Sequence, residues 1–211
     1  IYGMNVTVPY KQIILPLLED YSDLVKETNS VNTIFNKNGK IYGDNTDVYG
    51  FENSIINEKI NIQNKSVLIL GAGGVVPSII SALNKLKVGK IFLSNRTLKK
   101  AEIIGQRFKG INILKWGNIE NCDMFINSTS VGLKNEEKLE FDFSKISKNK
   151  IFYDVIYNPR RTNFLEEASK LGHKIINGEK MFLHQAQKAF ALWHNVLPKI
   201  DKKLLDFFNN D

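Results

Sequence analysis

Apolar and polar positions change period along this chain in a repeating way, and the clearest stretch is Lys65–Thr97. An unbroken apolar run from Ser66 to Leu70 passes into a glycine turn, Gly71-Ala72-Gly73-Gly74. A helical spacing follows through Val75, Ile79, Ile80, Leu83 and Leu86, then a second apolar run, Ile91 to Leu93, ending in Ser94-Asn95-Arg96-Thr97. Short unbroken runs read as strands covered on both faces, and the spaced pattern reads as a helix with one apolar side. Strand, tight turn, helix and strand make one βαβ unit of the dinucleotide-binding kind.

The alternation continues downstream. Lys99–Phe108 reads as helix, Ile111–Leu114 as strand, and Asp123–Ile126 as a strand ending at Asn127-Ser128-Thr129-Ser130. Ile151–Tyr157 is the next strand, followed by a helix at Phe164–Leu171, a strand at Lys174–Ile176, a long helix from Glu179 to Val196 and a lysine-rich helix at Lys199–Phe208. Repeated β-then-α order predicts a parallel sheet with helices on both faces. The fold class is α/β, with a Rossmann-type domain over residues 61–177.

Residues 1–60 have another rhythm and form a smaller α/β domain. Tyr2–Val8 alternates like a strand, Pro9 marks a helix start, and Tyr10, Ile13, Ile14, Leu17 and Leu18 fall on one helical face that Pro16 interrupts. Asp23–Asn29 is a short helix, and Val31–Phe35 and Lys40–Tyr42 form a hairpin around Asn36-Lys37-Asn38-Gly39. The polar turn Gly43–Asp47 then leads into a helix through Phe51, Ile55 and Ile56.

Ligands of open parallel sheets bind beyond the carboxyl ends of the strands. Those ends are Gly71–Gly74, Asn95–Thr97, Asn127–Ser130 and Val155–Tyr157. Gly71 permits the tight turn, while Gly73 and Gly74 remove Cβ atoms where a pyrophosphate approaches a helix N-terminus. Pro77 stands where the third glycine of G-x-G-x-x-G is usual, within the first helical turn, where its missing N–H has no intrahelical partner. The second strand ends in Asn95, Arg96 and Thr97, with Lys99 and Lys100 following and no carboxylate before Glu102. A cation with hydroxyl and amide donors suits a ribose 2′-phosphate, whereas a 2′-hydroxyl is held by Asp or Glu, so NADP is expected over NAD. The bland alternative makes Thr97 a helix cap and Arg96 a solvated residue.

Composition narrows the function classes. The 211 residues, 43% hydrophobic and 24% charged, suit an ordinary globular protein, without a run of membrane-spanning length or a signal-peptide pattern. The net charge of +7 comes from scattered lysines without a basic arm or zinc-finger spacing. It fits a small anionic substrate and a phosphorylated cofactor better than nucleic acid. A single Cys122 forms no internal disulfide, as in a reducing cytoplasm, and reads as a small buried residue. His173, His184 and His194 lack acidic or cysteine neighbours at ligand spacing, so no metal site is expected.

Reacting groups are sought in the N-terminal segment. A helix beginning at Pro9 sets Lys11 in its first turn, where the macrodipole disfavours an ammonium and favours proton exchange. Taken alone, Lys11 reads as a solvated lysine. Asp47 reads equally as an N-cap and as a functional carboxylate. Asn32 reads equally as a strand residue satisfying a neighbouring loop.

Read together, NVTVPYK at Asn5–Lys11, SVNT at Ser30–Thr33, GDNTD at Gly43–Asp47, GAGGVVPS at Gly71–Ser78, NRT at Asn95–Thr97, NSTSVG at Asn127–Gly132, YDVIYNPRRT at Tyr153–Thr162 and NGEKMFLHQA at Asn177–Ala186 span nearly the whole chain in order. In them the chain resembles the shikimate dehydrogenases, NADP-dependent enzymes of aromatic amino acid biosynthesis that interconvert 3-dehydroshikimate and shikimate. The resemblance implies that Lys11 and Asp47 form the acid/base pair. It implies substrate contacts from Thr7, Asn32, Asp47, Tyr157 and Gln185. It implies cofactor contacts from Asp23, from Gly71, Ala72, Gly73, Gly74 and Val75, from Asn95, Arg96, Thr97, Leu98, Lys99 and Lys100, and from Val155 and Gly178. Read from the sequence itself, Asp23 is a helix-start residue. Residues 178–211 are expected to pack back on the first domain, with Met181, Phe182, Ala186, Phe190 and Trp193 as packing.

The resemblance also implies a Ser-x-Ser pair for the substrate carboxylate, upstream of NVT and not within this chain. The chain opens inside a strand-like pattern, so a preceding segment is expected and the substrate domain is read as incomplete at its N-terminus. Two alternatives stay open: an NAD-using quinate/shikimate dehydrogenase, and an NADP-binding module without turnover. The expected protein is a cytoplasmic monomer or homodimer.

Overall fold

The computed structural model describes residues 2–134 and 137–209. Strands β1 (Gly3–Asn5), β2 (Asp20–Tyr21), β3 (Thr33–Lys37) and β4 (Lys40–Asp44) form a sheet in the order β1-β3-β4-β2. The β3–β4 hairpin pairs Thr33 with Asp44 through to Lys37 with Lys40. It turns at Asn38 and Gly39, with φ of 55° and 84°, the left-handed conformation that these two residues accept. Helix α1 (Asp23–Thr28) is capped by the Ser22 hydroxyl on the Val25 N–H and ends at Asn29, whose φ is 52°. Helix α2 (Asp47–Asn57) leaves this sheet toward the larger one.

One expected element is absent. Residues 8–14 form successive turns, followed by a single 3-10 turn at Leu15–Leu17, and β1 stops at Asn5. Only part of the predicted apolar face is covered: Tyr10, Ile13 and Leu17 are 59%, 62% and 69% exposed, while Ile14 and Leu18 are half-buried. The segment is held by its backbone instead, the Lys11 carbonyl accepting from the Val31 N–H at 2.8 Å.

The larger sheet contains β5 (Ser66–Leu70), β6 (Lys90–Ser94), β7 (Ile111–Leu114), β8 (Met124–Asn127), β9 (Ile151–Asp154) and β10 (Lys174–Ile176). All pairs are parallel, in the order β10-β9-β8-β5-β6-β7. Chain order therefore reverses at β5, between β6 and β8, which is the switch point where such sheets open a crevice. β5 is central and buries alternate residues on opposite faces. Val67 and Ile69 join α2, α3 (Val76–Lys85) and α4 (Leu98–Arg107) in one core. Leu68 and Leu70 join α5 (Asn163–Lys170) in the other. No α-helix links β8 to β9 among the described residues; Phe141 and Phe143 fill that place, Phe141 meeting Phe125, Phe152 and Phe164 edge-on and Phe143 stacking on Phe152.

Helix α6 (Glu179–His194) returns to the N-terminal elements, and α7 (Lys202–Asn209) closes the described chain. The Trp193 indole N–H donates to the Ile34 carbonyl at 3.3 Å. At Gly50 of α2 a Cβ would meet the Met181 carbonyl oxygen at 2.6 Å, so the two helices touch backbone to backbone. The two sheets are also joined through polar groups. The Asn45 amide donates to the Ser78 hydroxyl at 2.9 Å, and the Ser30 hydroxyl to the Gly74 carbonyl at 3.2 Å.

Candidate active site

A cavity of about 1050 Å³ lies between the two sheets. Its lining runs from Asn5, Thr7, Lys11, Asn32, Asp47 and Gln185 to the glycine turn after β5 and on to Asn95–Thr97 and Lys100. Strand ends predicted to converge do so: Ser128–Val131 and Val155–Asn158 line it too.

On the N-terminal wall the Lys11 Nζ lies 2.6 Å from Asp47 Oδ2, with the two side chains 13% and 8% exposed. The second Asp47 oxygen, Oδ1, accepts from the Asn32 amide at 2.9 Å. That amide also reaches Thr46 Oγ1 at 2.9 Å and Gln185 Oε1 at 3.3 Å. The Asn32 side-chain carbonyl in turn accepts from the Thr46 N–H at 2.8 Å and from the Thr33 hydroxyl at 3.0 Å. Asn32 thus holds the turn before α2 and orients Asp47 at once. The N-cap position of α2 is occupied by Thr46, and Asp47 spends its carboxylate on Lys11 and Asn32. An ammonium and a carboxylate held together at a cavity wall, with hydrogen-bond partners fixing the carboxylate, can exchange a proton with a bound hydroxyl.

The opposite wall has the shape of a phosphate cradle. Gly71 has φ of 106°, and a Cβ there would meet the Ser128 hydroxyl oxygen at 2.9 Å. A Cβ on Gly74 would meet nothing within 4 Å, and one on Gly73 only the Ser128 carbonyl at 3.9 Å. Space is therefore open in front of the turn, at the N-terminus of α3, where backbone N–H groups favour an anion. Pro77 lies in the first turn of α3, as its position predicted. Arg96 and Lys100 line the cavity and form no ion pair among the described residues. Thr97 stands at the N-cap of α4 without a side-chain capping bond, so its hydroxyl is not spent there. These groups fit the pyrophosphate and 2′-phosphate of NADP.

Beyond β9, Asp154 is fully buried. It accepts from the Thr162 hydroxyl at 2.6 Å, the Ile156 N–H at 3.0 Å and the Asn127 amide at 3.0 Å. Burial pushes its carboxyl above the usual range, against the pull of those three bonds. It ties the ends of β8 and β9 to α5 and so shapes the Val155–Tyr157 wall. At Gly178 a Cβ would collide with the Val155 carbonyl, which explains glycine where α6 begins.

Several residues implied as contacts do not line the cavity. Asp23 is at the start of α1 with its side chain 96% exposed, bonded to Lys26 at 2.9 Å, and it does not line the cavity. Leu98 and Lys99 are exposed in the first turn of α4 and do not line it either. A helix turn sends successive side chains about 100° apart, so among these three only Lys100 points back to the cavity. Lys11 is not in a helix, and its setting comes from the Asp47 pair. Phe182 is more than packing: it lines the cavity and stacks on Tyr157 with ring centroids 4.5 Å apart. Phe190 is 40% exposed, so not all of that helix face is buried.

Trp116, Ser128, Thr129 and Met181 also line the cavity and were not among the expected contacts. Ser128 and Thr129 belong to the strand end Asn127–Ser130 already read from the sequence, Trp116 follows β7, whose end that reading left out, and Met181 was expected as packing. Cys122 is buried, and burial pushes its thiol up to about 11. Among the described residues no group of three or more His, Cys, Asp or Glu is placed to hold a metal, and no helix is long and apolar enough to cross a membrane.

Comparison with known proteins agrees with this geometry. A family model described as shikimate / quinate 5-dehydrogenase matches residues 54–167, and one described as shikimate dehydrogenase substrate binding domain matches residues 1–34. A shikimate dehydrogenase (NADP(+)) of Pelagibacter ubique is 49% identical over 209 residues, covering 99% of this chain and 79% of that protein. The crystal structure of shikimate dehydrogenase from Aquifex aeolicus has a TM-score of 0.89 at 36% identity, covering 100% of this chain and 78% of that one. Shikimate 5-dehydrogenase of Thermus thermophilus, in complex with NADP(H) and shikimate, has a TM-score of 0.86 at 28% identity, covering 94% and 75%. With a cavity joining a phosphate cradle to an ammonium–carboxylate pair, and with these relatives along nearly its full length, the chain belongs to the shikimate dehydrogenase family.

Proposed function

We propose that the protein catalyses the NADP-dependent, reversible reduction of 3-dehydroshikimate to shikimate, with Lys11 and Asp47 as its proton-transfer pair. The observation that carries this reading is that the pair opens onto the same cavity as the glycine turn and Arg96. The cofactor, when bound, supplies or accepts the hydride at the substrate carbon.

The chain's own residues do the rest. Lys11 holds or releases the proton on the substrate oxygen, and Asp47, fixed by Asn32, orients the ammonium. Thr7, Asn32, Tyr157 and Gln185 offer hydroxyl and amide groups to a polyhydroxylated ring. Gly71–Val75 seat the pyrophosphate at the α3 N-terminus, and Arg96, Thr97 and Lys100 take the 2′-phosphate. Asn95, Val155 and Gly178 line the remaining cofactor wall; Asp23, Leu98 and Lys99 do not line the cavity. In this reading residues 1–60 act as the substrate domain and 61–177 as the cofactor domain. The helices of 178–211 close the cleft, supported by the Gln185–Asn32 bond. A reducing cytoplasm suits the free thiol.

The test is reduction of NADP followed with shikimate as substrate, with quinate and NAD as comparison. Turnover with shikimate and NADP is expected. Binding of NADPH without turnover of shikimate would leave only a cofactor-binding module.

A further inference from the structure

We propose that Trp116 is the stacking surface for the adenine ring of the cofactor; this rests on the NADP reading above. Trp116 lies two residues beyond the end of β7 and lines the cavity with Asn95, Arg96 and Thr97, which follow β6. β6 and β7 are neighbours in register, Ser94 opposite Leu114, and the Ser94 hydroxyl donates to the Lys115 carbonyl at 3.3 Å. The two strand ends are thus tied together immediately before the residues concerned.

The tryptophan is also fixed from the other side. Gly117 has φ of 85°, and the Asn118 N–H closes a turn on the Lys115 carbonyl at 3.0 Å. Part of the ring packs against the core that contains Leu68, Phe125 and Phe152, and the residue is half-buried. It makes no ring contact with another aromatic or a cation among the described residues. An anchored indole with cavity on one side presents a flat, preorganised apolar surface.

Topology says which half of the dinucleotide meets it. The crevice opens at β5, with β6 and β7 on one side and β8 and β9 on the other. Arg96 assigns the 2′-phosphate, and with it the adenylate half, to the β6–β7 side. The Lys11–Asp47 pair lies across from the glycine turn, and Tyr157 follows β9, so the reacting half belongs on the other side. Adenine is then the one flat group of the cofactor that can reach the strand end occupied by Trp116. Stacking of a base on an aromatic ring requires area and rigidity, and no particular hydrogen-bond partner.

The experiment uses the chain's own fluorescence. The chain has two tryptophans, and Trp193 packs on Gly3 and Ile34, away from the cavity, so Trp193→Phe leaves Trp116 as sole emitter. Its emission is expected to fall on adding NADPH, and equally on adding adenosine 2′,5′-bisphosphate, which has no nicotinamide. Reduced nicotinamide mononucleotide, which has no adenine, is expected to leave it unchanged. In a second arm, NADPH affinity is read from the nicotinamide's own emission. Trp116→Leu is expected to weaken it on the order of tenfold, Trp116→Phe to retain most of it, and NAD and NADP to suffer alike.

Emission that ignores the bisphosphate, or a folded Trp116→Leu protein with wild-type NADPH affinity, overturns the assignment and leaves the functional reading intact. Failure of the unaltered protein to bind NADPH overturns both.

Discussion

The Lys11 ammonium meets the Asp47 carboxylate at 2.6 Å, although 36 positions separate them and Lys11 is not carried by the helix its sequence suggested. Lys11 is carried by a turn whose carbonyl is bonded to Val31, and Asp47 by the first residue of α2. Val31 directly precedes Asn32, and Asn32 bonds Asp47. One short segment, Val31–Asn32, therefore sets both partners.

In the proposed reaction, Lys11→Ala removes a group whose proton transfer belongs to the transition state. Turnover is expected to fall by roughly 10²–10⁴-fold with a much smaller change in KM. Asp47→Asn keeps an acceptor for Asn32 and removes the charge opposite Lys11, so it should lower turnover with NADPH affinity retained. Steady-state kinetics and NADPH titration check both. Full turnover in folded Lys11→Ala would remove Lys11 from the reaction.

In the proposed reading Arg96 sets which dinucleotide is preferred. Arg96→Asp loses a charge-assisted bond to the 2′-phosphate, and its carboxylate suits a ribose 2′-hydroxyl. A hydrogen bond to a charged group contributes about 1.5–3 kcal/mol, so KM for NADP should rise roughly 10–100-fold while KM for NAD stays level or falls. Parallel assays with the two cofactors measure the ratio. An unchanged ratio would mean that the 2′-phosphate is held elsewhere.

The legibility of the sequence follows from burial. Ser66–Leu70, Ile111–Leu114 and Lys174–Ile176 are strands over the predicted residues, because a run covered on both faces, or a short one between clear turns, has one reading. Residues 9–18 carry an equally good helical period, yet their apolar side chains remain largely exposed, and periodicity does not reveal whether a surface exists to receive it. The same gap explains the site. The glycine turn, Arg96 and Asp47 were visible as local chemistry. The Phe182–Tyr157 stack and the place of Trp116 depend on which strand ends become neighbours, and local pattern does not encode that.

The join between the two walls is testable at Asn45. Its buried amide donates to Thr28 Oγ1 at 2.9 Å, the Ser30 carbonyl at 3.0 Å and Ser78 Oγ at 2.9 Å. Asn45→Ala removes all three of these bonds from a buried position, leaving the Ser30 carbonyl only its longer bond from the Thr28 hydroxyl at 3.3 Å. A loss of about 2–3 kcal/mol is expected, or roughly 5–10 °C in Tm for a chain of this size. Turnover should fall as well, since a misplacement of about 1 Å between reacting groups can cost on the order of 10²-fold. Thermal melts and kcat on the same preparation check the pair of effects. A melt lowered with kcat intact would make Asn45 a purely structural tie.

His173 gives the fold a sensitivity to acid. Its imidazole lies against Phe152 with centroids 4.9 Å apart, and its Nδ1 accepts from the Lys150 N–H at 3.3 Å. Burial, helped by the nearby Lys150 charge, lowers its pKa below the ordinary 6.5. The neutral form is thus the one the fold prefers. Its stabilising contribution is complete above the unfolded value of 6.5 and is lost as pH falls through the lower folded value. Protonation at Nδ1 also removes the acceptor for the Lys150 N–H. His173→Asn keeps an acceptor in nearly the same place and cannot gain a proton there. Below pH 6.5 its Tm should decline less steeply than that of the unaltered protein, although at neutral pH it starts lower for want of the ring against Phe152. Melting curves of both proteins across that range give the comparison; parallel slopes would assign the acid sensitivity to other groups.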